Sequence, residues 1–166
     1  AAVLGQYVAK DCNVKIAIVD PKISSQTWDE YNKGLVKAFA KHDIFGIPPA
    51  TLSVSRRPLI AVAFDLDNGE MIGGFRTNGP FFHSKDLECI TAIRNFPALQ
   101  RNPIIQEVEL LIHQSNGKGV MECSGLWASK KGIANSLVRA SSHMKWLMDF
   151  PFLVGFMGSQ TPALCN

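Results

Sequence analysis

No apolar run in this chain approaches the ~18 residues that cross a bilayer. The longest, Phe150 to Met157, is interrupted by Pro151 and Gly155, so no membrane span is expected. The first residues carry no basic stretch followed by a long apolar one, and no secretory leader is expected. An excess of one charge is also missing. The formal net charge is +3, and the 17 basic residues are scattered, with Arg56-Arg57 and Lys130-Lys131 the only clusters. A binder of nucleic-acid phosphates needs a dense basic stripe, so no nucleic-acid partner is expected. The 4 cysteines, Cys12, Cys89, Cys123 and Cys165, lie far apart, without a CxxC pair or a neighbouring histidine. That spacing argues against a zinc site and a disulfide framework, and the thiols read as reduced groups in a cytoplasmic protein. His42, His83, His113 and His143 have no i,i+4 partner, so no metal is expected. Repeats and low-complexity tracts are absent too, which removes solenoids and linkers.

What is present is a chain of 166 residues, 46% apolar and 19% charged, a balance that suits one globular domain over residues 1–166. Gln6 to Val19, with Val14, Ile16 and Ile18, reads as a strand closed by Asp20-Pro21. Thr27 to Glu30 has the form of a capping box, and Trp28, Tyr31, Leu35, Ala38 and His42 follow at helical spacing. These predict a helix from about Trp28 to Lys41. Leu59 to Phe64 is a buried strand, Asn68-Gly69 has the chemistry of a type I′ turn, and Met71 to Arg76 is the return strand. Thr77 to Pro80 reads as a loop, and Leu87, Ile90 and Ile93 as a short helix. Val108, Leu110 and Ile112 alternate with Glu107, Glu109 and Leu111, predicting a strand that turns at Asn116 to Gly119 into another, Val120 to Ala128. Lys131-Gly132 opens a long helix whose stripe is Ile133, Leu137, Ala140, Met144 and Leu147. Phe152 to Met157 is the last strand. This order predicts an α+β domain with one mixed, mainly antiparallel β-sheet flanked by α-helices.

The strand, turn and helix from Val120 to Met148 carry the main chemical signal. A helix N-terminus exposes unpaired N–H groups and a positive dipole end. Gly132 and Ala134 let a phosphate approach the backbone, and Lys130 and Lys131 add charge, which together suit a pyrophosphate. The competing reading is a helix start with two solvated lysines. Glu122 is the candidate general base, since a partly buried carboxylate with a raised pKa can take a proton from an ammonium group. Pairing with a neighbouring cation is the alternative. Glu107 and Glu109, on one side of their predicted strand, would hold a cationic acceptor or stay solvated. Cys123 reads as a buried thiol, and Trp127 and Trp146 as core aromatics.

These elements, in this order, resemble the GNAT superfamily of N-acetyltransferases. The family's Q/R-x-x-G-x-G/A signature is similar to Ser129-Lys130-Lys131-Gly132-Ile133-Ala134, with Ser129 in the place of Arg or Gln. Glu122 to Ala128 looks like the strand that precedes the signature, and the hairpin at Asn68-Gly69 looks like the family's second and third strands. The resemblance runs from about Leu59 to Gly158. It implies that Lys130 and the backbone of Lys131, Gly132, Ile133, Ala134 and Asn135 bind the pyrophosphate of acetyl-CoA or a longer acyl-CoA. It also implies that Leu126, Trp127 and Ala128 line the pantetheine arm, and that a small-molecule amine attacks the thioester directly. In the family a Tyr from a later helix often protonates the leaving thiolate. No Tyr follows Tyr31 here, so the domain is expected to be C-terminally incomplete, to be completed by a partner, or to use another acid.

A finer resemblance is to acyl-homoserine-lactone synthases. Gly74-Phe75-Arg76-Thr77-Asn78-Gly79-Pro80, a helical insertion and Glu122-Cys123-Ser124 are similar to their Arg, Thr, Gly-Pro and Glu-x-Ser-Arg pattern, with Gly125 at the last Arg. It implies Arg76 at the substrate and acyl carrier protein as donor. A third expectation is a catalytically degenerate domain that binds an acyl ligand or a partner protein. An open sheet edge near the C-terminus would suit a homodimer.

Overall fold

The computed structural model describes residues 2–46, 52, 56 and 58–155. Its first two strands, β1 (Val3–Ala9) and β2 (Val14–Val19), pair antiparallel. One strand was expected over this stretch. The chain instead turns at Lys10–Cys12, a single 3-10 turn, and Asn13 completes the reversal at φ 54°. Asparagine tolerates that left-handed conformation better than most residues. Its carbonyl accepts the Leu66 N–H at 3.1 Å, tying this turn to the next hairpin. α1 (Ser25–Ala40) begins before the expected Trp28. The Ser24 hydroxyl pairs with the Thr27 hydroxyl at 2.7 Å instead of capping a backbone N–H.

β3 (Leu59–Asp65) and β4 (Met71–Phe81) form the expected hairpin, with a different turn. Gly69 takes the left-handed conformation at φ 72° and Asn68 does not, so this is not a type I′ turn. The Gly69 N–H bonds the Asp65 carbonyl at 2.8 Å. Thr77 to Pro80 is strand and not loop, because β4 runs on to Phe81. Its register against the neighbouring strand shifts between Asn78 and Phe81, around the cis Gly79-Pro80 bond. A bulge is where a strand admits a proline.

The largest departure is the segment between β4 and β5, which is helical: α2 (Glu88–Ala92) and α3 (Ala98–Gln114). The strand expected at Glu107 to Ile112 is the C-terminal part of α3. Ile104, Ile105, Val108, Leu111 and Ile112 pack into one cluster with Phe81, Leu87, Ile90 and Val120. Their spacing is helical, whereas Leu110, which the alternating pattern needs inside, is 47% exposed.

β5 (Val120–Ala128) and α4 (Ile133–Met148) match the expected bounds closely. β6 (Leu153–Gly155) pairs parallel to β5, and the rest of its expected span, to Met157, lies outside the described residues. The six strands run in chain order across one mostly antiparallel sheet. β2 and β3 are buried on both faces. One face packs Ile16, Ile18, Ala61 and Ala63 under Ile133, Leu137, Ala140 and Met144 of α4. The other packs Ala17, Val19, Ile60 and Val62 under Trp28, Tyr31 and Leu35 of α1. No described helix is long and apolar enough to cross a membrane.

Candidate functional site

β5 lies between β4 and β6 in the sheet. Its pairing with β6 covers Met121 to Cys123, and among the described residues Ser124 to Ala128 have no strand partner on that side. A bulge interrupts β5. Gly125 sits at φ 64°, and the register against β4 shifts between Gly74 and Arg76. The Tyr31 hydroxyl donates to the Gly125 carbonyl at 2.7 Å. Arg76 lies alongside, donating from Nη1 to the Tyr31 oxygen at 3.4 Å and from Nη2 to both Glu88 oxygens at 3.1 and 2.8 Å. A Cβ on residue 125 would stand 2.2 Å from Arg76 Nη1 and 2.3 Å from Tyr31 Oη. The guanidinium of Arg76 thus fills the space of a side chain at 125, where the acyl-homoserine-lactone-synthase pattern has its last arginine. Burial pushes the Tyr31 hydroxyl up to about 12, which keeps it a neutral donor.

Glu122 is sealed from solvent at 1% exposure. Its two oxygens accept the backbone N–H groups of Glu88, at 2.9 Å, and Cys89, at 2.7 Å. It therefore satisfies N–H groups at the start of α2, which have no partner within that helix. Burial raises its pKa, against the opposing pull of those two N–H groups. The thiols of Cys89 and Cys123 are also pushed up to about 12, burial being the first cause, so neither is an activated nucleophile.

The loop after β5 is pinned from below. The Ser129 N–H and hydroxyl both donate to the Ile72 carbonyl, at 2.9 and 3.1 Å. Lys130 is paired with the buried Asp65 through its ammonium group. That bond holds the Asp65 carboxyl below its ordinary range and raises Lys130. Lys131 and Asn135 are exposed, and Gly132 caps α4 at φ 86°. The Ile133 and Ala134 side chains are buried in the α4 face, which leaves only their backbone to a ligand. Leu126 and Ala128 pack on the α4 side of the sheet and Trp127 on the α1 side. Glu107 and Glu109, expected to share one side of a strand, are two residues apart on a helix and do not share a face. Glu109 accepts the Ser84 hydroxyl at 3.0 Å.

Sequence reasoning missed a cleft of about 540 Å³ between α1 and the ends of β4 and β5. Lys33, Lys37 and Lys41 line it together with Glu30, Glu70 and Trp127. Gly34 lets the Trp127 ring pack directly on the α1 backbone, since a Cβ there would meet the ring at 2.0 Å. A glycine in mid-helix, with lysines one turn apart around it, was the available signal. Two buried polar atoms beside these elements have no hydrogen-bond partner among the described residues, the Trp127 indole nitrogen and the Ser124 hydroxyl. No family model, curated protein or solved structure matches this chain.

Proposed function

We propose that this chain is a GNAT-type N-acyltransferase whose donor is a phosphopantetheine thioester, acetyl-CoA or a longer acyl-CoA, laid along the C-terminal part of β5. One observation carries the reading: the strand bulges at Gly125 and runs through a short loop into the left-handed Gly132 that opens α4. An extended pantetheine arm would lie beside Ser124 to Ala128, where its amides can reach backbone groups of the strand. The pyrophosphate would then meet the first N–H groups of α4 and the ammonium of Lys131, Lys130 being held by Asp65.

In this reaction the acceptor nitrogen attacks the thioester carbonyl carbon. The carbon–sulfur bond breaks with its electron pair on sulfur, and the proton from nitrogen passes to the departing thiolate or to water. Glu122, with both oxygens taken, acts as a positioning residue that holds α2 against β5. The test is titration calorimetry with coenzyme A and its acetyl, octanoyl and palmitoyl thioesters. Micromolar binding of one of them, weakened about fivefold by Lys131→Glu, is expected. Binding to none of the four overturns coenzyme A as donor. Release of free thiol when amines are added separates an enzyme from a degenerate acyl-ligand binder.

A second reading has its own observation. The α2–α3 insertion builds an apolar cluster of Phe81, Leu87, Ile90, Ile93 and Val108 beside β5, a surface of the kind an acyl chain would pack on. That favours a long-chain donor carried by acyl carrier protein, as in acyl-homoserine-lactone synthases. Competition between octanoyl carrier protein and octanoyl-coenzyme A decides between them.

A further inference from the structure

We infer that Asn116 is a site of spontaneous deamidation, and that of the three Asn-Gly pairs in this chain it is the one the fold leaves reactive. The pairs are Asn68-Gly69, Asn78-Gly79 and Asn116-Gly117. The reaction asks two things of the structure. The glycine nitrogen must give up its proton and attack the asparagine Cγ, so its N–H must not be held by another acceptor. Water must also reach the pair, to carry that proton away and later to open the ring that forms.

The three pairs differ in both respects. Gly69 is exposed, but its N–H donates to the Asp65 carbonyl at 2.8 Å. The Asn68 side chain is engaged too, its Oδ1 accepting the Glu70 N–H at 2.9 Å. Gly79 is buried, and its N–H donates to the Asn78 Oδ1 at 3.0 Å. A Cβ on Gly79 would stand 2.9 Å from Met121 Sδ and 3.0 Å from the Val120 carbonyl oxygen, so neither water nor a new ring has room there. Asn116 and Gly117 are both exposed, and a Cβ on Gly117 would meet nothing within 4 Å. They are the central residues of a turn, with φ 52° and 78°, closed by the Lys118 N–H on the Ser115 carbonyl at 3.1 Å. That is the type I′ pattern, in which the closing bond belongs to the fourth residue. Among the described residues the Gly117 N–H has no acceptor, and its exposed position gives it to water.

The attack forms a bond from the Gly117 nitrogen to Asn116 Cγ and breaks the bond from Cγ to the side-chain nitrogen. Ammonia leaves with the proton that water relays, and a succinimide remains. One water then opens the ring. Cleavage of the new bond leaves aspartate at 116, and cleavage of the original peptide bond leaves isoaspartate, whose backbone is one carbon longer. Aspartate tolerates the left-handed conformation and keeps the turn. The longer backbone does not fit between the two bonds that Ser115 makes, from its carbonyl to the Lys118 N–H and from its hydroxyl to the Gly119 N–H at 2.9 Å. Isoaspartate therefore loosens the join between α3 and β5.

The test uses the full chain, aged at neutral pH in its folded form and, in parallel, unfolded in urea. Trypsin, cutting after Arg56, Arg76, Lys85, Arg101 and Lys118, puts Asn68, Asn78 and Asn116 on separate peptides. Conversion is read from the mass gained when an amide becomes an acid, and isoaspartate from its labelling by an isoaspartate methyltransferase. In the folded chain Asn116 should convert about tenfold faster than Asn68, the scale of the one hydrogen bond that holds the Gly69 N–H. Asn78 should be slower still, and in urea the three rates should converge. Similar rates at all three sites of the folded chain, faster loss at Asn68 or Asn78, or an Asn116 that stays intact while the unfolded chain reacts there, each overturns the inference. The isoaspartate form, separated from the aspartate form by chromatography, should unfold at lower urea; equal midpoints overturn the loosening of the turn.

Discussion

Glu122 and Cys89 are joined by a 2.7 Å hydrogen bond from the Cys89 backbone N–H to a carboxylate oxygen that solvent does not reach. The other oxygen takes the N–H of Glu88. This fixes the start of α2 on the middle of β5, and α2 in turn presents the Glu88 carboxylate to Arg76. Arg76 braces Tyr31, and Tyr31 holds the bulge at Gly125. A buried acid in the strand is thereby connected, through the side chains of Glu88, Arg76 and Tyr31, to the bulge at Gly125.

Removing the acid should therefore unfold more than a single contact. Glu122→Ala leaves two backbone N–H groups without a charged acceptor, at a cost of about 3 kcal/mol. Glu122→Gln keeps one carbonyl acceptor and should lose about half of that. Urea denaturation of the three proteins measures both. Equal stability of the alanine variant and the parent would show that α2 is held by its apolar contacts alone.

The same carboxyl predicts a pH dependence with a definite sign. Burial raises the folded pKa of Glu122 above its ordinary 4.5, so folding favours the protonated form. Its contribution is complete below pH 4.5 and is lost as pH rises through the folded value. The stability of the parent relative to Glu122→Gln should thus increase as pH is lowered from 7 toward 4.5. Asp65 behaves oppositely, because the bond from Lys130 lowers its pKa below 3.8. Its contribution is present above pH 3.8 and is lost as pH falls through the depressed value. Lys130→Met should remove that acid-side loss and leave the Glu122 trend in place. Denaturation series at pH 3, 4.5 and 7 separate the two groups, and a flat difference between parent and Glu122→Gln would contradict the assignment.

What was legible in the sequence was what local periodicity encodes. The stripe Ile133, Leu137, Ala140 and Met144 gave α4, and the apolar run at Leu59 gave β3, because burial on one face repeats within each segment. The alternation of Val108, Leu110 and Ile112 misled, because three residues at spacing two also fall within a helix whose other apolar positions lie just upstream. The site was less legible, since its contacts are long-range. Glu122 meets Glu88 and Cys89 more than thirty residues away, Lys130 meets Asp65, and Gly34 admits Trp127. No spacing rule within one element reports such pairs.

Gly34 carries the clearest steric prediction. In an exposed helix interior, glycine to alanine gains about 1 kcal/mol. Here the added Cβ would stand 2.0 Å from the Trp127 ring, which is itself packed between α1 and the sheet. Overpacking of that kind costs about 3 kcal/mol, so Gly34→Ala should be destabilised by about 2 kcal/mol net. Thermal unfolding gives the sign, and a changed Trp127 emission would locate the strain. A stabilised variant would mean that the ring has space to withdraw into the cleft.

Tyr31→Phe tests the bulge itself. The substitution keeps the ring in the core under α1 and removes only the hydroxyl that donates to the Gly125 carbonyl and accepts from Arg76. The expected loss is about 1.5 kcal/mol, mostly from a partly buried carbonyl left without its donor. Because the hydroxyl titrates only near 12, the loss should be the same at pH 6 and pH 9. Hydrogen exchange offers the sharper reading. Amides of Ser124 to Ala128 should exchange faster in the variant, while those of α4 should not, since α4 packs on the opposite face of the sheet. If the thioester lies along this part of β5, its affinity should fall about fivefold in the same variant, matching the 1 kcal/mol or so needed to reorder the strand. Faster exchange with undiminished thioester binding would place the donor elsewhere, and unchanged exchange would mean that the backbone of Gly125 holds its left-handed conformation without help from Tyr31.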